Sequence, residues 1–216
     1  MNKNEKFVIT INRELGSGGR TVGRKLAERL GVEFYDKAVI KGLQEKYHLT
    51  VEEIERLKGR SQGWWADFKR QLRIGPGLSS KYYIPQMGSE PEPIETDDVF
   101  KAETEILNGI VADESCVVAG RSGFYVFRNH PNHLSILILA SMPHRVKRVM
   151  REQNMTEDEA IKTIEKVDKM RENYVKKYTG SSRYDTRNYH LIITMDEIDE
   201  DDAVDIIIDY INRMSR

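Results

Sequence analysis

Phe7-Val8-Ile9-Thr10-Ile11 is a short, apolar, β-branched run, and a little further on the chain reads Gly16-Ser17-Gly18-Gly19. The run predicts a buried parallel strand. From Thr21 to Leu30, Val22, Leu26, Ala27 and Leu30 recur at helical spacing, and Gly31 predicts a left-handed helix end. Val32 to Asp36 predicts a second short strand. The opening unit is therefore strand, glycine loop, helix, strand. Such a loop gathers backbone N–H groups and the positive helix end at one point, and that point binds phosphate.

The same alternation continues down the chain. Residues 38–58 are helical by pattern, with Thr50 as an N-cap and Glu53 three residues later. Phe100 to Ala112 predicts a helix, and Cys116 to Ala119 a buried strand running into Gly120-Arg121-Ser122-Gly123. Leu134 to Ala140 predicts a core strand. Pro143 opens a helix carrying Arg145, Arg148 and Arg151. Thr156 and Glu159 form a capping box for a long helix reaching about Tyr178. Leu191 to Thr194 is a last strand, and Asp201 to Arg213 a terminal helix. Strands alternating with helices predict an α/β fold, a parallel sheet flanked by helices, in one domain over residues 1–216. Residues 59–96 depart from it. They hold Trp64, Trp65, Tyr82, Tyr83 and four of the six prolines, and no clean period fits them. They predict an inserted lobe or a mobile loop over a site. A plain linker is the alternative, against which the aromatic content argues. Trp64 and Trp65 either stack on a base or fill the lobe.

Basic residues number 34 and acidic residues 35, a net charge of -1. That balance predicts no general nucleic-acid surface. Charged residues make up 32% of the chain, above the roughly 25% of an average soluble protein. The single cysteine, Cys116, excludes a disulfide framework and a cysteine-based zinc site. No apolar run approaches the roughly 20 residues that span a bilayer, and Met1 to Lys6 is too polar for a signal peptide. The expectation is a cytoplasmic protein with no membrane partner.

The phosphate-loop pattern is G-x-x-x-x-G-K-[ST]. Laid against it, Gly18 takes the second glycine and Thr21 offers a hydroxyl for a metal. Gly19 falls where the lysine belongs, Arg20 comes one residue late, and Arg13 stands at the first glycine. A tight turn without a ligand is the alternative.

The stretch from Ile9-Thr10-Ile11 through Leu26-Ala27-Glu28 to Phe34-Tyr35-Asp36 resembles the opening of bacterial cytidylate kinases, and more closely that of the cytidylate-kinase-like family. Val118-Ala119-Gly120-Arg121, the arginine helix, Asp168 with Arg171, and Asn188 to Ile193 continue the resemblance in order. It implies a P-loop kinase-type core with an acceptor-binding lobe and a helical lid over 145–185. It implies transfer of a phosphoryl group from ATP, with Mg²⁺, to a small nucleotide acceptor such as a nucleoside monophosphate. Gly16, Ser17, Gly18, Gly19 and Arg20 would hold the donor phosphates, with Arg148 nearby, and Thr21 would reach the metal. Asp36 and Arg121 match the acceptor side. Asp168 and Arg171 would close from the lid, and Arg20, Asp168 and Arg171 would act in catalysis.

Plainer readings stay open for these residues. Asp36 is equally a helix cap, Arg121 a surface arginine, the arginine helix a solvated face, and Asp168 with Arg171 an ordinary i,i+3 pair. The missing lysine, and Ala119 where the kinases carry an acid, leave a second function: phosphate or nucleotide binding without catalysis. Ser122 replaces the carboxylate that helps read cytosine, so base specificity does not carry over. A protein-interaction module using the 59–96 lobe is a third reading.

Overall fold

The structure is a computed structural model, and it describes residues 1–2, 4–61, 63–72, 74 and 97–214. Five parallel strands form one sheet: β1 Val8–Arg13, β2 Glu33–Tyr35, β3 Cys116–Ala119, β4 His133–Leu139 and β5 Leu191–Thr194. Their order is β2-β3-β1-β4-β5. The chain therefore crosses from one side of β1 to the other between β3 and β4. Ligands of open parallel sheets bind at the carboxyl ends of the strands flanking such a switch.

Alternation along β1 divides the core. Ile9 and Ile11 face one layer, with Val22, Leu26 and Ala27 of α1 (Gly19–Leu30) and Val204, Ile207 and Ile211 of the C-terminal helix, Glu200–Met214. Val8 faces the other layer, built from α2 (Lys37–Tyr47), α3 (Val51–Arg60), α4 (Trp64–Gln71) and α5 (Asp97–Asp113). After a single turn, α6 (Gly123–Val126), come α7 (Met142–Gln153) and α8 (Glu157–Thr179). These two pack a smaller cluster against Leu15 of the glycine loop. The terminal helix is α9. The expected capping box is present, Thr156 with Glu159, and Thr50 caps α3 by accepting from Glu53 N.

Only the first part of the 59–96 stretch lies within the described residues. Trp64–Gln71 is a helix, and its Trp64, Trp65 and Phe68 are buried. Two helical turns are too short for a period to register against neighbouring breakers. Trp65 and Phe68 stack with centroids 5.6 Å apart. Both tryptophans fill the core and neither offers a face to a base. Tyr82, Tyr83 and the glycines 75, 77 and 88 lie outside the described residues. Strand β2 ends one residue early because Asp36 leaves the sheet to cap α2.

Candidate functional site

The glycine loop has the backbone its composition predicts. Gly16 and Gly18 sit at φ 82° and 81°, where side chains other than glycine are strained. A side chain at Gly16 would meet the backbone of Arg145, and one at Gly18 the guanidinium of Arg148. Ser17 is fully buried and its Oγ donates to Glu14 O at 3.0 Å. Helix α1 starts at Gly19, so its first amides point out of the loop without intrahelical partners.

The loop is held from below. Leu15 N donates to Asp168 Oδ1 at 3.1 Å, and Arg145 Nε donates to Leu15 O at 2.9 Å. Arg145 also pairs with Glu14 at 3.1 Å and with Asp168. The first arginine of α7 is thus buried structure, not a solvated face. Arg148 is tied to Glu200 and to Glu152, and its Nη2 donates to Thr21 Oγ1 at 3.3 Å. Arg151 alone of the three is exposed.

Arg20 is bound to the acceptor-side carboxylate of the expected site. Its Nε donates to Asp36 Oδ2 at 2.6 Å. Asp36 is the helix cap, accepting from Val39 N, yet it is buried, so it is no solvent-facing cap.

Beside the loop, at the carboxyl ends of β1 and β3, lies a cavity of about 460 Å³ including its mouth. Arg13, Lys37, Arg121, Arg171 and Arg183 all line it, and among the described residues no carboxylate does. The turn that carries Arg121 is strained: Gly120, Arg121 and Ser122 have φ of 82°, 54° and 51°. Left-handed residues other than glycine cost of order 1 kcal/mol each and collect at functional sites. Arg121 is buried, not a surface arginine. Its guanidinium pairs with Glu103, donates to Tyr174 OH at 2.8 Å and stacks on that ring at 5.0 Å.

Asp168 is the hub behind this cavity. Buried in the middle of α8, it faces Arg145, Arg183 at 3.5 Å and Arg171 at 3.7 Å. That is no ordinary surface pair: one carboxylate orders three guanidiniums and a loop amide. Arg171 also donates to Arg13 O at 3.5 Å. The cations crowd one another. Burial first, then Arg171, Arg183 and Arg20, push the Arg13 pKa down to about 9 although Asp36 opposes them. The group stays protonated at neutral pH.

The structure thus divides the expected site in two. Gly16 to Thr21 and Arg148 form the loop side. Arg121 and Arg171 reach the cavity, with Asp168 behind both, while Arg20 and Asp36 bind each other between them. Sequence reasoning missed Arg13, Lys37 and Arg183 as cavity residues. Arg13 left a signal, since it was the misfit at the first-glycine position. Arg183 is fully buried from a turn outside any strand or helix and left none.

A metal finds few protein ligands. Ala119 supplies no carboxylate, Thr21 Oγ1 already accepts from Arg148, and no group of three His, Cys, Asp or Glu side chains among the described residues is arranged to hold an ion. The residues do not form a metal site of their own. Cys116 is buried and its thiol pKa is pushed up by burial, so it is no nucleophile.

The sequence model of the cytidylate kinase-like family matches residues 8–197. The chain belongs to that family. A nucleotide dehydratase dependent on S-adenosylmethionine, from Lacinutrix mariniflava, is 25% identical over 95% of this chain but only 36% of its own length. A cytidylate kinase from Sulfolobus acidocaldarius is 27% identical over 52% of this chain and 62% of its own. The chain thus spans about a third and about three-fifths of these relatives. Among solved structures, an uncharacterised protein from Eubacterium ventriosum superposes with TM-score 0.66 and 27% identity, covering 95% of this chain and 98% of that one. A gluconokinase from Sinorhizobium meliloti superposes with TM-score 0.51 at 14% identity, covering 97% of this chain and 94% of that one, a likeness of fold alone. The fold is that of the P-loop kinases. No helix among the described residues is long and apolar enough to cross a membrane.

Proposed function

We propose that the protein transfers the γ-phosphoryl group of ATP to a small anionic acceptor, a nucleoside monophosphate first among them. The observation that carries this reading is the cavity beside the glycine loop, whose described lining holds five cations and no carboxylate. A half-buried excess of positive charge is costly unless an anion completes it. Two of the three curated relatives, a nucleotide dehydratase and a cytidylate kinase, have names that concern nucleotides, and the third is a shikimate kinase.

In this reading the amides of Gly16 to Thr21 hold the donor's phosphates, flanked by Arg148. Arg121 holds the acceptor's phosphate, backed by the buried Arg183, and Arg171 reaches the moving phosphoryl group. An acceptor oxygen forms a bond to the γ-phosphorus as the bond to the β-phosphate oxygen breaks, and the products are ADP and the phosphorylated acceptor. Such a transition state needs alignment and cations on the equatorial oxygens more than covalent help. Arginine suits the task because its planar fork stays charged and grips phosphate with two bonds. Asp168 positions Arg171 and Arg183 before the substrate arrives, which lowers the ordering cost. A Mg²⁺ ion would come with the nucleotide's phosphates and shield their charge, held mainly by them and by water.

Gly19 and Ala119, in place of a lysine and an acid, favour a second reading: a protein that binds nucleotides and does not turn them over. One experiment separates the two. ADP formation from Mg-ATP is measured across a panel of nucleoside monophosphates, with ATP binding followed in parallel. Acceptor-dependent ADP supports transfer, whereas binding without ADP supports the second reading. No binding at all rejects both.

A further inference from the structure

Two departures from the phosphate-loop pattern meet in space. Arg13 stands where the first glycine belongs, and Gly19 where the lysine belongs. Arg13 closes β1, and its Cβ and Cγ occupy the space into which a side chain at Gly19 would grow. Its Nη1 does the same over Gly120, at the end of β3. A lysine at position 19 would collide with the arginine stem. The side chain therefore spans from the start of α1 to the end of β3, crossing the carboxyl edge of the sheet between loop and cavity.

Its guanidinium differs from its neighbours in what it holds. Arg20 is bound to Asp36, Arg121 to Glu103 and Arg148 to Glu200. The Arg13 guanidinium has no hydrogen bond or ion pair among the described residues, and it lines the cavity. Its own carbonyl is the group that Arg171 and Arg183 grip, which fixes the strand end from which it projects.

We infer that Arg13 is the phosphoryl-binding cation of this protein. It replaces, from the strand, the charge that the loop pattern supplies from the helix, and it bridges the donor loop and the acceptor cavity. Arg20, the residue that follows the vacant lysine position, is not that cation. This inference rests on the proposed transfer of a phosphoryl group.

The probe is inorganic tripolyphosphate, which needs neither a base pocket nor an acceptor, with binding measured by calorimetry. Arg13→Gln keeps most of the stem against Gly19 and removes the charge. It should weaken binding roughly 10- to 100-fold, the scale of lost charge-assisted hydrogen bonds, and the deficit should shrink as salt rises. Millimolar guanidinium should restore part of the loss, which a merely structural defect would not show. Gly19→Ala should weaken binding with no change of charge, by displacing the stem. Arg24→Ala removes a cation from the outer face of the same helix and serves as the charge control. If Arg13→Gln binds like wild type, or loses no more than Arg24→Ala, the role of Arg13 is overturned while the kinase reading stands. If wild type binds no tripolyphosphate, both fall.

Discussion

Arg20 and Asp36, which the sequence assigns to opposite substrates, are bound to each other, Nε to Oδ2 at 2.6 Å. The pair sits between the glycine loop and the cavity. Asp36 also caps α2 through Val39 N at 3.1 Å, so one carboxylate ties the start of α1 to the start of α2.

The two roles of Asp36 separate by substitution. Asparagine caps nearly as well as aspartate, so Asp36→Asn should lose the charge partner of Arg20 and keep the cap. We expect a loss of about 1–3 kcal/mol, the scale of a half-buried charge left without its partner. Asp36→Ala should cost about 1 kcal/mol more. Urea denaturation measures both, and equal losses would show that the cap contributes nothing.

Asp168→Asn attacks the hub. Arg145 and Arg183 are buried and share this carboxylate. Removing one member of a buried ion cluster costs about 3–5 kcal/mol, because the remaining charges stay desolvated. Leu15 N can still find the amide oxygen, so the loop should remain formed while global stability falls. A stability change under 1 kcal/mol in urea titrations would contradict the hub.

The sheet and its helices were legible because each strand is a short β-branched run bounded by polar or glycine punctuation. Cys116–Ala119 and Leu191–Thr194 match the structure residue for residue. The loop was legible as well, since only glycine sits easily at the φ of Gly16 and Gly18. The cavity was not. Arg183 lies in a turn just past the end of α8, with no period around it, and its burial follows from Asp168 and the Arg13 carbonyl, which are distant in sequence. Helix α4 was hidden for the opposite reason: its buried residues, Trp64, Trp65 and Phe68, are too few to repeat.

His133 predicts a pH dependence of stability. Burial first, then His190 and His130, push its pKa down to about 4, against roughly 6.5 in an unfolded chain. Thr10 Oγ1 lies 2.8 Å from its Nε2. Because the unfolded chain takes up this proton more readily, stability is full above pH 6.5 and falls as pH drops toward 4. The loss from this residue reaches about 3 kcal/mol. Carboxylates such as Asp196 and Glu200, whose pKa values are lowered, act at lower pH. The difference between wild type and His133→Asn, which does not titrate, isolates the histidine. Parallel stability curves from pH 7 to 4.5 would refute its contribution.

Arg171 offers the sharpest test of transfer against binding alone. It projects from α8 into the cavity, with its Nη1 3.7 Å from Asp168 and 3.5 Å from Arg13 O. Unlike Arg183, it keeps some exposure to solvent, so its loss should leave folding nearly intact: exposed or half-exposed pairs contribute at most about 1 kcal/mol. If it touches the moving phosphoryl group, its contacts strengthen in the transition state. Arg171→Ala should then lower kcat and kcat/KM together by roughly 100-fold or more, the scale of one lost electrostatic donor. A rise in KM at constant kcat would instead place Arg171 on the acceptor's ground state, holding the substrate without taking part in the step. Full activity, or inactivity that tracks unfolding by circular dichroism, would remove Arg171 from the reaction altogether.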